Sequence, residues 1–439
     1  MRALASLLLT LLLCGPLQAA PGFPGAEAIQ AARARSGVEH LASDALEGRG
    51  SGTRGGRQAG DWIAEQASAA GLQAAGDGSW FQPFQGQGQR MRNVLGKIPG
   101  REPGEAIVIG AHYDHLGRGE QPGSLDFGMS RGRIHNGADD NASGTVAVLE
   151  IARAFQASGQ RPRRTVLFAW FDGEERGLLG SRHWVAHPTL PERVVAMINI
   201  DMVGRLSDTL AIEGAPTGDL FAGWLERANE GLGLRLHLDQ SLPPNSDHDS
   251  FYKRGIPVLA PFTGLHPDYH RPSDDADKVS VEGIVRIARL CYGVAVQAAD
   301  AERAPRFAKV RDGSLDLMLD QLQQLFGGRP KAAPTRARLG VSVDQDGVTV
   351  LRVHAGGVAE RAGVRAGDTI LAVGGERVRD LAGLRAAVGR ARGEVALRVR
   401  RGGEELELRA PFEGPAREPA PSEPAPREPA PSEPGPRWF

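Results

Sequence analysis

Two cysteines in 439 residues leave little scope for covalent cross-linking. Cys14 lies in a stretch that reads as a removable leader, so the mature chain keeps Cys291 alone and has no internal disulfide. Cys291 falls in an apolar helical pattern, Val281 to Ala299, which makes it a buried core thiol. Stability must come from a large apolar core, with bound metal as a further source. An excess of one charge is also lacking. Fifty-two Lys and Arg against 53 Asp and Glu give a formal net charge of -1, so nothing in the composition points to nucleic acid. A membrane-spanning run is missing as well, because the apolar segment near the start, Leu7 to Leu13, is too short to cross a bilayer.

That segment instead has the form of an export signal. Met1 and Arg2 precede it, and Leu17-Gln18-Ala19-Ala20-Pro21 offers small residues for cleavage. Cleavage is expected after Ala19, giving a signal peptide at 1–19, since proline directly after a scissile bond is disfavoured. Leu13 is too large for the position before a lipidated cysteine, which argues against a lipid anchor at Cys14. The protein is expected to be exported, either periplasmic or secreted.

From residue 22 to about 300, strand-like runs alternate with helical ones. Val94 to Ile98, Ala106 to Ala111, Thr165 to Phe171, Val194 to Ile200, Thr209 to Ile212 and Pro257 to Phe262 read as strands. Gly144 to Ala157, Asp219 to Leu232 and the run from Ser280 to Ala299 read as helices, the last with Ser280 as N-cap. The alternation predicts an α/β domain with a mostly parallel central sheet covered by helices on both faces. Residues 301–337 read as a helix from Ser314 to Phe326 followed by a linker. Residues 338–412 have short strands and Gly turns around one helix, and 413–439 form a Pro-rich tail containing a ten-residue repeat.

Polar residues of catalytic type collect just after the strands. GAHYDHLG, Gly110 to Gly117, places His112 and Asp114 two residues apart, hence on one face of a strand's carboxyl end, where open α/β sheets bind ligands. Such a pair suits a metal, a catalytic dyad or a hydrogen-bonded surface pair. GADDNASG, Gly137 to Gly144, offers Asp139, Asp140 and Asn141 as oxygen ligands, or is simply a helix-capping loop. FDGEERGLLGS places Glu174 and Glu175 together, NIDMVGR ends a strand at Asp201, and HPDYHRPSD carries His266, Tyr269 and His270. Two histidines, two aspartates and a glutamate from five strand ends form a set that suits zinc and similar ions, with carboxylates able to bridge two of them. The second glutamate of the pair is then available as a general base.

These five motifs, with the leader LASDALEGRGSGTRGG, resemble the exported bacterial co-catalytic zinc aminopeptidases over about residues 35 to 300. The wider family includes glutaminyl cyclases and the non-catalytic transferrin receptor ectodomain. The resemblance implies the zinc exopeptidase fold and two Zn2+ per chain. It assigns His112 and Asp201 to one metal, Glu175 and His270 to the other, and Asp140 as the bridge. Glu174 matches the general base, Asp114 the acid that orients His112, and Tyr269 the phenol that steadies an oxyanion. It gives no ligand role to His115 or His248, prefers His270 to His266 because Tyr269 and Pro272-Ser273-Asp274 fit the family loop, and leaves Asp139 to support its own loop. It also implies a cis peptide at Asp140-Asn141. The activity implied is removal of amino-terminal residues from peptides or proteins. Alternatives are a single-zinc glutaminyl cyclase and a non-catalytic peptide-binding protein.

Residues 338–412 resemble a PDZ domain of the bacterial exported-protease type. RLGVSV aligns with the loop whose backbone N-H groups receive a peptide carboxylate, at Leu339, Gly340 and Val341. A carboxyl-terminal peptide is the implied partner, and the chain's own apolar end, Trp438-Phe439, is one such peptide. The alternative is a packing or oligomerisation module.

Overall fold

The computed structural model describes residues 22–119, 123–126, 131–314, 339–344, 348–353 and 357–412. The signal peptide, the Pro-rich tail and all but the first residue of the helix expected from Ser314 lie outside them. Among the described residues, no helix is long and apolar enough to cross a membrane. The chain divides into two compact units, Met1–Gly328 and Arg329–Phe439.

Strands of the first unit are β1 (Gln73–Ala74), β2 (Phe81–Gly86), β3 (Gln89–Ile98), β4 (Glu105–His112), β5 (Thr165–Phe171), β6 (Arg193–Asn199), β7 (Leu210–Glu213), β8 (Leu236–Leu238), β9 (Ser241–Leu242), β10 (Val258–Phe262) and β11 (Arg311–Asp312). Its helices are α1 (Ala31–Leu41), α2 (Arg54–Ala69), α3 (Gly144–Ala157), α4 (Leu179–Ala186), α5 (Phe221–Ala228), α6 (His248–Tyr252) and α7 (Val281–Asp300). The main sheet runs β1-β3-β5-β4-β6-β10-β7-β8, with β2 also on β3. It is mixed: β5, β4, β6 and β10 are mutually parallel at the centre, while β3 and β7 join that block antiparallel.

Because side chains alternate across a strand, the central strands feed two cores. Ile107, Ile109, Val166, Phe168 and Trp170 pack under α1, α2, α3, α5 and α7. Val108, Leu167, Ala169, Phe171 and Met197 face the opposite side with Trp184 of α4 and Phe251 of α6. The helices therefore cover both faces, as the alternation of strand and helix patterns requires. Cys291 is buried within α7, where burial pushes its thiol up to about 12, and Ser280 caps that helix by accepting from the Gly283 amide at 3.2 Å.

The first unit does not stop at residue 300. Ala308 donates its amide to the Thr217 carbonyl at 2.9 Å, β11 pairs in parallel with β9, and the Phe307 ring packs on Tyr252. This first part of the segment 301–337, read from sequence as helix and linker, is bound to the domain.

The second unit contains β12 (Val341–Val343), β13 (Val350–Val353), α8 (Val358–Arg361), β14 (Thr369–Val373), β15 (Glu376–Arg377), α9 (Leu381–Arg390), β16 (Gly393–Arg401) and β17 (Glu404–Phe412). Leu339, Ile370, Leu397, Val399 and Phe412 fill its core. Asp380 caps α9, and Arg401 grips both oxygens of Asp368 at 2.7 and 2.8 Å.

A buried cation ties the first unit's loops to the end of β4. Arg49, from the 3-10 turn between α1 and α2, is fully buried and donates to the carbonyls of Leu41, Tyr113, Asn136 and Gly137 at 2.5 to 2.9 Å. Burial pulls its guanidinium down to about 10, against the opposing field of Asp140 and Asp274. Removing it strands several buried acceptors, each costly to leave unpaired. Arg49→Ala is expected to lower the unfolding free energy by about 3 kcal/mol in urea denaturation; a change below about 1 kcal/mol would mean that other donors satisfy those carbonyls.

Candidate metal centre

Each strand of the parallel centre delivers its polar residues at the same edge, because parallel strands end together. His112 is the last residue of β4, Glu174 and Glu175 follow β5, Asp201 follows β6, and His270 lies in the loop after β10. Asp140 enters from the loop before α3. That loop carries the cis peptide expected at Asp140-Asn141. It is held by side chains on both sides: Asp274 accepts from the Asp139 and Asp140 amides at 2.9 and 3.1 Å, and the Asn141 amide group donates to the Ile200 carbonyl at 3.0 Å. Gly137 starts the turn at φ 56, where a Cβ would lie 2.2 Å from the Asp140 carbonyl oxygen and 2.5 Å from the His115 ring. Only glycine fits there.

The two oxygens of Asp140 face different partners. Oδ1 is 3.2 Å from His112 Nε2, which is also 3.2 Å from Asp201 Oδ1. Oδ2 is 3.2 Å from His270 Nε2, which is in turn 3.2 Å from Glu175 Oε2. One carboxylate thus sits between two imidazole-carboxylate pairs. The donor atoms of His112, Asp140 and Asp201 lie within 4.8 Å of one another, as do those of His115, Asp140 and Glu175. This is compatible with ions that accept mixed nitrogen and oxygen donors, zinc among them.

His115 belongs to this neighbourhood although its sequence position gave it no role. Its Nδ1 is 2.7 Å from Glu175 Oε1, its ring is fully buried, and it meets the His270 ring edge-on. It lies three residues after His112, beyond the strand, where periodicity carries no information about direction. His266 is elsewhere, with Nε2 3.2 Å from Asp139 Oδ2, and His248 donates Nε2-H to the Pro243 carbonyl at 2.9 Å. Asp139 itself accepts from the Gly204 amide and the Ser143 hydroxyl, fastening its loop to the segment after β6.

Asp114 is fully buried and stands behind the cluster. His112 Nδ1 is 3.1 Å from the Asp114 main-chain carbonyl and 3.8 Å from the Asp114 carboxylate. The carboxylate instead accepts from the Ser51 hydroxyl at 2.7 Å and the Glu174 amide at 3.1 Å. It therefore fixes the backbone at Glu174 as well as bordering His112. Tyr269 stacks on His270 with ring centroids 3.9 Å apart. Burial, followed by the fields of Asp140 and Glu175, pushes its phenol well above the usual tyrosine value, so it remains a donor. Glu174 is also pushed well above an ordinary glutamate, first by burial, although His112 acts in the opposite direction.

Three non-glycine residues around the cluster have left-handed backbone: Arg49 at φ 50, Met202 at φ 50 and His270 at φ 53. Such conformations are costly and persist where surrounding contacts dictate them. Arg49, Asp274 and Ser51 are supporting residues that the motifs alone did not single out. The one signal in the sequence was an arginine set inside the Gly-rich leader.

Fold and donor set together define a metal-dependent hydrolase of the α/β class. The model for peptidase family M28 matches residues 93–295, and a PDZ domain model matches residues 349–401. A probable leucine aminopeptidase 1 of Trichophyton verrucosum is 30% identical over 268 residues, covering 56% of this chain and 68% of that protein. Leupeptin-inactivating enzyme 1 of Streptomyces exfoliatus is 29% identical over 210 residues, 47% of this chain and 43% of that protein. The chain thus spans less than half the length of the second relative. The crystal structure of the LapA aminopeptidase of Legionella pneumophila matches with a TM-score of 0.53 at 23% identity, over 64% of this chain and 74% of that one, a likeness of fold. The chain belongs to peptidase family M28, and its first domain is of the zinc metallopeptidase class.

Charge in the cluster has a direct consequence for metal uptake. Burial disfavours a proton on His112 and on His270, but Asp201 and Glu174 around the first, and Glu175 and Asp140 around the second, outweigh it and hold both imidazoles well above their usual value. Without a cation, both rings keep a proton at neutral pH. A divalent ion needs their lone pairs and must expel those protons, so its affinity rises with pH. Titration calorimetry of metal-free protein with zinc, in buffers of different ionisation enthalpy, should register proton release near pH 7 and weaker binding near pH 6. Binding without proton release would mean that both imidazoles are already neutral in the metal-free protein.

Proposed function

We propose that the protein is an exported aminopeptidase that removes amino-terminal residues from peptides with two zinc ions per chain and Glu174 as general base. The observation that carries this reading is the split carboxylate of Asp140, with one oxygen toward His112 and Asp201 and the other toward His270 and Glu175. His112 and Asp201 would hold one ion, His270 and Glu175 the other, and Asp140 would serve both. His115, at 2.7 Å, acts as the donor that fixes the free edge of Glu175. Bound zinc supplies positive charge that polarises the peptide carbonyl and acidifies water beside it.

The remaining work falls to side chains of the chain. Glu174 lines the cleft with its main chain anchored on Asp114, and its carboxylate would accept a proton from the attacking water and pass it to the leaving amine. Its raised proton affinity suits a group that must both take and return a proton. Tyr269, kept protonated by its surroundings, donates to the oxygen that becomes negative. Glu174→Gln should lower kcat on aminoacyl anilides by roughly 10² to 10⁴ while zinc content by elemental analysis stays at two per chain. A variant within about tenfold of wild type would place the base elsewhere.

The second domain is proposed to receive a peptide carboxyl terminus at Leu339, Gly340 and Val341. Leu339 is anchored in the domain's core and its carbonyl accepts from the Ala359 amide at 2.7 Å, while Val341 opens a strand paired with β13. This supports a loop fixed beside a strand edge, the layout that peptide-strand addition uses. The first ligand to test is the chain's own terminus. A labelled peptide of residues 427–439 should bind protein lacking Trp438 and Phe439 more tightly than the same peptide without those two residues. Equal affinities would remove the terminus as a ligand.

A further inference from the structure

The cleft over the metal centre, a cavity of about 350 Å³, continues past Asp201 to a wall formed by β7 and β10. Glu213, the last residue of β7, pairs in register with Ala260 of β10 and lines this wall together with Met202 and Phe262. Its surroundings are unusual for a carboxylate. Only 8% of the residue is exposed, and it makes no hydrogen bond or ion pair with any described residue. Burial, then the fields of Asp239 and Asp201, push its carboxyl up to about 8. Of the other acids of the cleft, Asp140 and Glu175 lie against imidazoles, Asp201 lies against His112, and Glu174, which makes no side-chain hydrogen bond with a described residue, lies in the field of His112. Glu213 alone among these faces the cavity without a counter-charge.

A buried carboxylate without a partner is expensive unless a ligand supplies the opposite charge. In an aminopeptidase one residue lies on the amino-terminal side of the scissile bond, and its side chain occupies the recess beside the metals. We infer that Glu213 makes that recess selective for a cationic amino-terminal residue, lysine or arginine, whose charged end it binds. The aliphatic stem of such a side chain would run over Met202 and Phe262, while its ammonium or guanidinium meets the carboxylate. The exposed guanidinium of Arg182 also lines the cleft, but on a different element, α4. This inference rests on the aminopeptidase reading and adds its substrate class.

The test compares lysyl and norleucyl anilides, which match in length and differ in charge, for zinc-loaded wild type, Glu213→Gln and Glu213→Leu. Wild type should favour lysyl in kcat/KM, and the lysyl-to-norleucyl ratio should fall by about tenfold or more in both variants. The ratio is internal to each sample, so a partly misfolded variant still reports. Free L-lysine should also inhibit wild type more strongly than L-norleucine, and that difference should vanish in Glu213→Gln. A wild type that prefers norleucyl, or a variant that loses both substrates equally, would overturn the inference; the equal loss would instead put Glu213 on the α-amino group. Absence of turnover on either anilide, with inhibitor binding intact in neither case, would overturn the aminopeptidase reading itself.

Discussion

The carboxylate of Asp140, shared between two imidazoles at 3.2 Å each, is the contact on which the rest of the site depends. To present both oxygens, the loop has to enter the sheet edge at right depth and stay there. Asp274 grips two of its amides, Asn141 and Ser143 tie it to the segment after β6, and Arg49 gathers the carbonyls at its start. Thr145, in the helix that follows, donates to the His112 carbonyl at 2.8 Å, so the end of β4 and the loop are locked as one body. Preorganisation of this kind lets a site bind a cation without having to rearrange.

Electrostatics gives the cleft its character. Buried acids outnumber buried cations there, and the imidazoles compensate by holding protons. Burial would raise Asp140, yet hydrogen bonds from His112 and His270 hold it well below an ordinary aspartate; Glu175 is drawn down to about 2 in the same way, by His270 and His115. The protein as a whole carries a net charge of only -1, so this concentration of negative charge is local. Field lines in a low-dielectric cleft favour cations over any neutral competitor. At the metal end the cluster invites a divalent ion, and at Glu213 the same imbalance invites a monovalent one.

Family membership and the PDZ-like unit add a second level. A metallopeptidase domain and a PDZ-like unit in one chain pair a site proposed to recognise one end of a peptide with one proposed to recognise the other. Each has its own core.

Much of this was legible in the chain itself. Strand runs without polar interruption announced a sheet buried on both faces, and polar residues placed just after them could only fall at the carboxyl edge. His112, Glu175, Asp201 and His270 carried that signal in local motifs, Asp140 stood in a motif at the start of a helix, and the structure brings all five together. Where sequence gave no direction was after the strands ended. His115 lies in a loop without periodicity, so its turn toward Glu175 depends on Gly137 admitting its ring. Arg49 and Asp274 lie 88 and 135 residues from loop partners they hold, and no local pattern records such pairings. Glu213 ends an ordinary strand, and its place in the cleft opposite Ala260 is set by the register of β7 on β10. Sequence determined which residues reach the edge of the sheet, because period and punctuation are local properties of a chain. Tertiary structure decided which charges meet there and which are left unpaired, because distance between loops is set by packing that involves the whole domain.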